Sequence, residues 1–406
     1  MNKKYISILI LIIAGGFNIR YGIIPAWNDI NSDFPNYYTS SRLLIEGKDI
    51  SKIYDDNWFE QQIKNYRINE TGKFSPFPPP TIFVMVPFSI FESITAKRLF
   101  LIINIIILLW TALIFRKISA LNYINCLNII LISGAAIINN FILGQLYLLL
   151  LFAIVIGYFY LSKEDEYQSG YIWGIGAAIK YFPIIYVPIL IVKKKWRGLI
   201  SLLLTIIMIN IITLIITGYD IYIQFIKQVL FSHLNGELSS QSKYAVQFQS
   251  WNSLLRILFI EDSIENNIPL FNSPIVFMVV RILIYLIIIS TSTFIIYKVR
   301  DNKNFLPYSS IILTLAALLL SPASATYHLL ISAFPLILLL SLTQEGNKGK
   351  YGITFLLIYI LIGYLPFVNS QFLKENLFFS FYRLWLLVIF FITAARFILT
   401  NSRQCQ

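Results

Sequence analysis

The sequence predicts an all-α, polytopic integral membrane protein. Hydrophobic residues make up 57% of the chain and charged residues only 13%, where a soluble domain carries about 25% charged residues. Mean hydropathy is +0.71. Apolar runs of the roughly 20 residues that cross a bilayer recur from end to end. They are continuous rather than alternating, so nothing suggests a closed barrel.

Taken in order, Tyr5 to Ile24 follows two lysines and resembles a signal peptide, but Pro25-Ala26-Trp27 is a poor cleavage site, so a retained anchor is expected. Pro25 to Pro80 reads as a first external loop. Within it, Phe74 to Pro80 (FSPFPPP) is stiffened by three consecutive prolines and reads as a rigid spacer ahead of direct substrate contact. Thr81 to Ile94 is too short for a comfortable span and reads as re-entrant or tilted. Leu99 to Phe115, Leu121 to Ile138 and Leu146 to Leu161 follow as spans. Gly170 to Val192 carries Lys180 in its middle, with Pro183 and Pro188 after it. Proline removes a backbone donor and disfavours helix at the residue before it. A hairpin of Gly170 to Lys180 and Pro183 to Val192 is expected, and it restores the parity of the crossings.

The basic run Lys193 to Arg197 marks the cytoplasmic side. From it Gly198 to Thr217 goes out, Gly218 to Ser273 forms a second external loop, and Pro274 to Tyr297 returns to Lys298, Arg300 and Lys303. Pro307 to Leu320 goes out, Ser321 to His328 is an external turn, and Leu329 to Leu342 returns to Lys348 and Lys350. Tyr351 to Val368 and Leu377 to Leu399 complete the set and leave Arg403 inside. About twelve membrane helices result, in one body spanning 1–406, with both termini cytoplasmic and two external loops, 25–80 and 218–273. No internal repeat appears, which weakens a transporter built on inverted repeats.

The net charge of +12 is spread over short clusters flanking apolar helices. That is the pattern of cytoplasmic loops and argues against nucleic acid as a partner; membrane lipids are expected instead. Cys126 lies inside a helix and Cys405 in the tail, so no disulfide framework follows. Cysteine and histidine are too sparse for a zinc site. No acidic pair of persuasive spacing appears in or near the spans beyond Asp29 and Asp33, and no cofactor is expected.

The candidate site residues collect on the external side. Asp33 opens a helix that places Phe34, Tyr37, Tyr38 and Ser41 roughly on one face. It has two readings: an N-cap, or a general base tuned by partial burial. Tyr37 and Tyr38 are candidate substrate contacts. Lys180 is an ionisable residue in an apolar stretch, which usually faces a cavity or a partner; it can hold a phosphate as a point charge or snorkel to the interface. Gln145 can meet a sugar hydroxyl or serve as a turn residue. Arg281 is a second candidate for the phosphate. His328 can share a proton or donate to an anion near neutral pH, or simply sit at the interface. His233 carries less weight, and Arg98, beside Lys97, reads as a surface anchor.

Several blocks, in order, resemble glycosyltransferase family 87, the bacterial polyprenyl-phosphate-mannose-dependent mannosyltransferases and their relatives. They are NSDFPNYYTSSRLLIEGKDISKIYD, FPPP, FILGQLYLLLL, GYIWGIGAAIKYFPIIYVPILIVKKKWRG, SWNSLLRIL and LSPASATYHLLI, spanning roughly Ile30 to Pro335. The last departs from the family's paired histidines, since Thr326-Tyr327-His328 offers one.

That resemblance implies a GT-C-type helical bundle in the cell membrane with its active site on the external face. It implies a donor in which a polyprenol carries a sugar, favoured as mannose, through one phosphate. The acceptor would be a hydroxyl of a glycolipid or glycan. Asp33 would take the acceptor's proton, Lys180 with Arg281 or His328 would neutralise the leaving phosphate, and single displacement would invert the anomeric centre, with no metal required. Two other classes stay open: a transporter or lipid flippase, and a surface-polysaccharide ligase or polymerase, against which Arg256 stands as the lone arginine of the second loop.

Overall fold

The computed structural model describes residues 3–70, 76–237, 241–344, 349–367 and 376–402. Phe74 and Ser75 of the proline-rich run, Lys348, Val368, Arg403 and Cys405 lie outside the described residues. Among the described residues the chain is helical throughout, apart from one isolated bridge between Asp262 and Asn266.

Helix α1 (Lys3–Asn18) continues through a π-helical turn, Ile19–Ile23, into α2 (Ile24–Asn28). The first loop contributes α3 (Phe34–Ile45) and α4 (Asp56–Asn65), and a 3₁₀ segment, Pro79–Val84, leads to α5 (Ser93–Ile118). Then come α6 (Tyr123–Leu131), α7 (Ala135–Ile142), α8 (Tyr147–Ser162) and α9 (Glu166–Ile179). A 3₁₀ turn, Phe182–Tyr186, joins α10 (Val187–Val192), which precedes α11 (Trp196–Thr217). The second loop holds α12 (Asp220–Gln224), a π-helical turn Phe225–Leu230, α13 (Phe231–Leu234) and α14 (Trp251–Phe259). The remainder is α15 (Pro274–Lys298), α16 (Phe305–Leu320), a 3₁₀ turn Thr326–Ser332, α17 (Ala333–Thr343), α18 (Gly349–Tyr364), α19 (Leu377–Ser380) and α20 (Tyr382–Ser402).

Among the described residues six helices are long and apolar enough to cross a membrane, or seven if α6 and α7, bent by 74° at their break, count as one span. Tyr147–Ser162, Phe182–Val192, Phe305–Leu320 and Gly349–Tyr364 are shorter apolar helices. The outer helices show their lipid-facing side directly. Ile207, Ile211 and Ile215 of α11, and Ile275, Ile282 and Ile287 of α15, are exposed, a waste of apolar burial in water but favourable against hydrocarbon.

Two of the expected elements differ. Thr81 to Ile94 forms no membrane helix: the 3₁₀ turn ends at Val84 and turns follow to Ile90. Pro78, Pro79 and Pro80 supply no backbone donors, and the chain after them keeps to 3₁₀ and turn conformation. Leu121 to Ile138 is not one straight helix but the bent α6–α7 pair. The expected break near Lys180 is present: α9 ends at Ile179, Lys180 is extended at φ −146°, and the chain restarts at Phe182.

Packing divides into a large apolar core among the membrane helices and a smaller one outside it. The smaller core gathers Phe34, Tyr37, Tyr54, Phe59 and Phe77 from the first loop and Phe225 from the second, together with Phe100 and Leu146. The first loop is therefore a folded cap rather than a tether. Arg42 donates to the carbonyls of Ser89 (2.8 Å) and Ile90 (3.1 Å), tying α3 to the turns before α5. Thr81 donates to the Ile179 carbonyl at 2.8 Å, so the proline-rich segment grips the chain one residue before Lys180.

A candidate active site under the cap

A cavity of about 750 Å³ opens where the cap meets the ends of α8, α9 and α16. Asp33, Tyr37, Gln145, Lys180 and His328 all line it. Five of the seven residues singled out from sequence therefore share one space. Tyr38 and Arg281 do not line it. Tyr38 turns away and donates its hydroxyl to the Phe91 carbonyl at 2.8 Å. Arg281, expected at the phosphate, instead donates to Asn252 Oδ1 at 3.0 Å and lies over the Phe277 ring.

Asp33 occupies the N-cap position of α3 but its side chain makes no capping bond. Pro35 at the second helical position has no N–H to offer, and the Asn36 N–H goes to the Asp33 carbonyl at 3.1 Å. The carboxylate is spent elsewhere: Gln145 Nε2 donates to Asp33 Oδ2 at 2.7 Å. The same amide accepts from the Tyr37 hydroxyl at 2.9 Å. Tyr37 in turn stacks on Phe77, with centroids 5.0 Å apart. Pro76, Phe77 and Pro78 line the cavity as well, so the proline-rich run is a wall of it and more than a spacer.

The turn before α8 aims the amide. Asn140 Oδ1 accepts from the N–H groups of Tyr147 (3.1 Å) and Leu148 (3.2 Å), capping α8 from seven residues upstream. Gly144 between them has φ +62°, and a Cβ there would come within 2.9 Å of Phe34 and 3.0 Å of Lys97 Nζ. Only glycine meets both demands, which accounts for the Gly-Gln order in this turn.

Lys180 Nζ lies 5.0 Å from the Tyr147 ring centroid and 5.8 Å from that of Tyr37. Aromatic faces of this kind hold an ammonium while leaving its N–H groups able to meet an anion. The Asp33 carboxylate acts on it electrostatically. His328 also stacks against Tyr147, centroids 4.4 Å apart. The turn that carries it is held by Ser250, which donates to the Pro322 carbonyl at 2.8 Å, and by the Gln249 N–H on the Ser324 carbonyl at 2.9 Å. Arg383, buried, reaches Thr326 in the same turn.

Sequence reasoning passed over two further groups, Lys97 and Asn36, and gave a third, His233, less weight. Lys97, treated as a neighbour of a surface arginine, is fully buried and donates to the carbonyls of Phe141 (3.1 Å) and Ile142 (2.6 Å). It thus meets the negative end of α7 and feels Asp33 electrostatically. A cation one turn inside an amphipathic helix start was the available signal. Asn36 lines the cavity with its Oδ1 buried and without a hydrogen-bond partner among the described residues. His233 lines it from the second loop; burial first, and then the Lys180 charge, push its imidazole down to about 4.

Beside the main cavity runs an apolar groove of about 260 Å³ between α10, α15 and α16. The two share Ile185, Pro188 and Leu320 as wall residues. Ile289, Ile296, Leu313 and Ala316 line the groove further along. One wall of the arrangement thus offers a hydrogen-bonded carboxylate and an aromatic-held ammonium, and the other leads into hydrocarbon-like surface.

A family model described as Glycosyltransferase family 87 matches residues 76–322. The match takes in Gln145, Lys180 and Arg281, begins after Asp33, Tyr37 and Tyr38, and ends before His328. No curated protein and no solved structure matches the chain.

Proposed function

The chain belongs to glycosyltransferase family 87 and is a membrane glycosyltransferase, and from that premise we propose that it moves a hexose, favoured as mannose, from a polyprenyl-phosphate donor to a hydroxyl of a glycolipid or glycan. The observation that carries this reading is that Asp33 and Lys180 line the same cavity. The acceptor oxygen attacks the anomeric carbon while Asp33 takes its proton. The bond from that carbon to the phosphate oxygen breaks, and its electron pair leaves with the lipid phosphate. Lys180 offsets the charge that grows there, with His328 close by across the Tyr147 ring. One displacement inverts the anomeric centre. Tyr37 and Gln145 fix the carboxylate and, with Asn36, meet sugar hydroxyls. Tyr38 supports α3, and Arg281 supports the second loop.

The apolar groove favours a lipid-linked donor over a water-soluble one. It shares Ile185, Pro188 and Leu320 with the cavity wall, and it would take the first isoprene units of the tail. We place the site on the external face of the cell membrane and both termini in the cytoplasm, following the basic clusters. With the bent pair and the four shorter apolar helices counted as spans, the total approaches the expected twelve of a GT-C-type bundle. A polysaccharide ligase is less favoured: Arg256 is engaged by Glu237 at 3.2 Å and by the Asn235 carbonyl at 3.0 Å.

The test is transfer by the purified full-length protein in nanodiscs with a panel of radiolabelled polyprenyl-phosphate hexoses. Label should pass to an acceptor in the lipid or glycan fraction. Transfer from nucleotide sugars alone, or from none of the donors, would sink the reading.

A further inference from the structure

Two adjacent asparagines stand in the apolar helix α7, and the fold uses them differently. Asn140 is fully buried. Its Nδ2 donates to Asn104 Oδ1 at 3.2 Å, and its Oδ1 takes the N–H groups of Tyr147 and Leu148, so this amide ties α7 to α5 and α8. Asn139 is partly exposed and lines the cavity. Its side chain makes no hydrogen bond among the described residues, and neither polar atom of its amide is sealed off as Asn36 Oδ1 is. A polar side chain in an apolar membrane helix is costly unless it faces a partner or a cavity, and here it faces the cavity.

The chain sets the place of Asn139 relative to the carboxylate. Leu143, one helical turn further on, also lines the cavity, and its N–H bonds the Asn139 carbonyl at 3.0 Å. The turn then runs through Gly144 to Gln145, whose amide donates to Asp33 at 2.7 Å. Ser32 and Asn36, on either side of Asp33 in sequence, line the cavity too. The polar groups accompanying Asp33 on these segments are thus uncharged, whereas the segment after Lys180 gives Tyr181, Phe182, Ile184 and Ile185 to the wall. A carboxamide offers an acceptor oxygen and two donor hydrogens. A sugar hydroxyl both gives and takes hydrogen bonds and can satisfy either end. An ionised phosphate oxygen only accepts, and a hydrocarbon tail would leave both ends bare.

We propose that Asn139 is a sugar-binding residue that reads one hydroxyl of the hexose unit held in the cavity with Asp33. The transferred sugar and the acceptor share this chemistry, and the experiment separates the two. The inference rests on the sugar-transfer reading above and deepens it.

The experiment uses the full-length protein in nanodiscs, the polyprenyl-phosphate hexose that wild type transfers, the monodeoxy forms of that donor, and the lipid or glycan fraction that takes the label. Asn139→Leu keeps the size of the side chain and removes the amide. If the transferred sugar is read, one monodeoxy donor costs wild type about three- to tenfold in kcat/KM, the scale of one neutral hydrogen bond, and the variant loses that penalty. If the acceptor is read, the deoxy penalties match in the two proteins and the acceptor KM of the variant rises by about three- to tenfold at constant donor KM. Either result supports the role of Asn139. Unchanged deoxy penalties with both KM values unchanged, or an equal loss with every substrate, would overturn it while leaving the sugar-transfer reading intact. Melting separates binding from folding: leucine suits an apolar helix, so Asn139→Leu should melt no lower than wild type, whereas Asn140→Leu strips the cap from α8 and should melt lower. An Asn139→Leu that melts as low as Asn140→Leu would make the amide structural and overturn the proposal. A wild type that transfers from none of the lipid-linked hexoses would overturn the donor reading, and this inference with it.

Discussion

Gln145 donates to the Asp33 carboxylate at 2.7 Å across 112 residues of sequence. The bond joins the start of α8 to the start of α3, beside Gly144, which packs against the Phe34 side chain and Lys97 Nζ. It also decides what the carboxylate is for geometrically: the side chain faces the cavity instead of closing its own helix.

Asp33→Asn keeps the size of the side chain and an oxygen for Gln145 to donate to, but removes the proton acceptor. Transfer should fall by about 10²–10⁴, with donor affinity and thermal midpoint close to wild type. Turnover measured at saturating donor decides it; a near-normal rate would remove Asp33 as the base.

Lys180→Met keeps the length and most of the apolar contact with Tyr37 and Tyr147. Since a buried charge adds little to stability when nothing opposes it directly, the fold should persist. The donor KM should rise by about tenfold or more, the worth of a charge-assisted contact, while the acceptor KM stays put. A variant that fails to insert or melts far below wild type would favour a structural lysine.

Much of this was legible in the sequence because hydrocarbon imposes a simple grammar. Long apolar runs, their flanking lysines, and the break after Ile179 follow from hydropathy and proline alone. Asp33, Gln145 and Lys180 were legible because a polar residue in an apolar setting is conspicuous. Lys97 and His233 were not, since one sits beside a surface arginine and the other in a polar loop, where their burial comes only from tertiary packing. Arg281 was conspicuous in an apolar span, but its partner Asn252, on α14 in the second loop, was not legible from that span. The proline-rich run could be read as stiff but not as a wall, because that depends on Tyr37 stacking upon Phe77.

Gly144→Ala should damage both stability and transfer. The added methyl would need room now held by Phe34 and Lys97 Nζ, at 2.9 and 3.0 Å, in a left-handed backbone that alanine resists. A loss of about 1–3 kcal/mol is expected from the overpacking alone. Thermal melting in detergent and initial-rate transfer should both drop. An alanine variant with wild-type melting and rate would show that the turn can shift, and that the Gln145–Asp33 bond does not depend on it.

Glu46 makes the cap sensitive to acid. Its burial opposes ionisation, but hydrogen bonds from Lys48, Arg42 and Tyr66 outweigh that and hold the carboxyl down at about 2, below its ordinary 4.5. The contacts are close: 2.9 Å to Lys48, 2.5 Å to Arg42 and 2.8 Å from the Tyr66 hydroxyl. Because the folded value is the lower one, the unfolded chain binds the proton first as pH falls. The stabilisation is therefore complete above about pH 4.5 and drains away on acidification toward pH 2. Glu46 is partly exposed, so salt should weaken the effect. Glu46→Gln removes the titrating group, and its melting temperature should decline less than that of wild type between pH 5 and pH 3, both values chosen to bracket the window at about pH 4.5. Parallel declines in the two proteins would show that other carboxylates govern the acid lability.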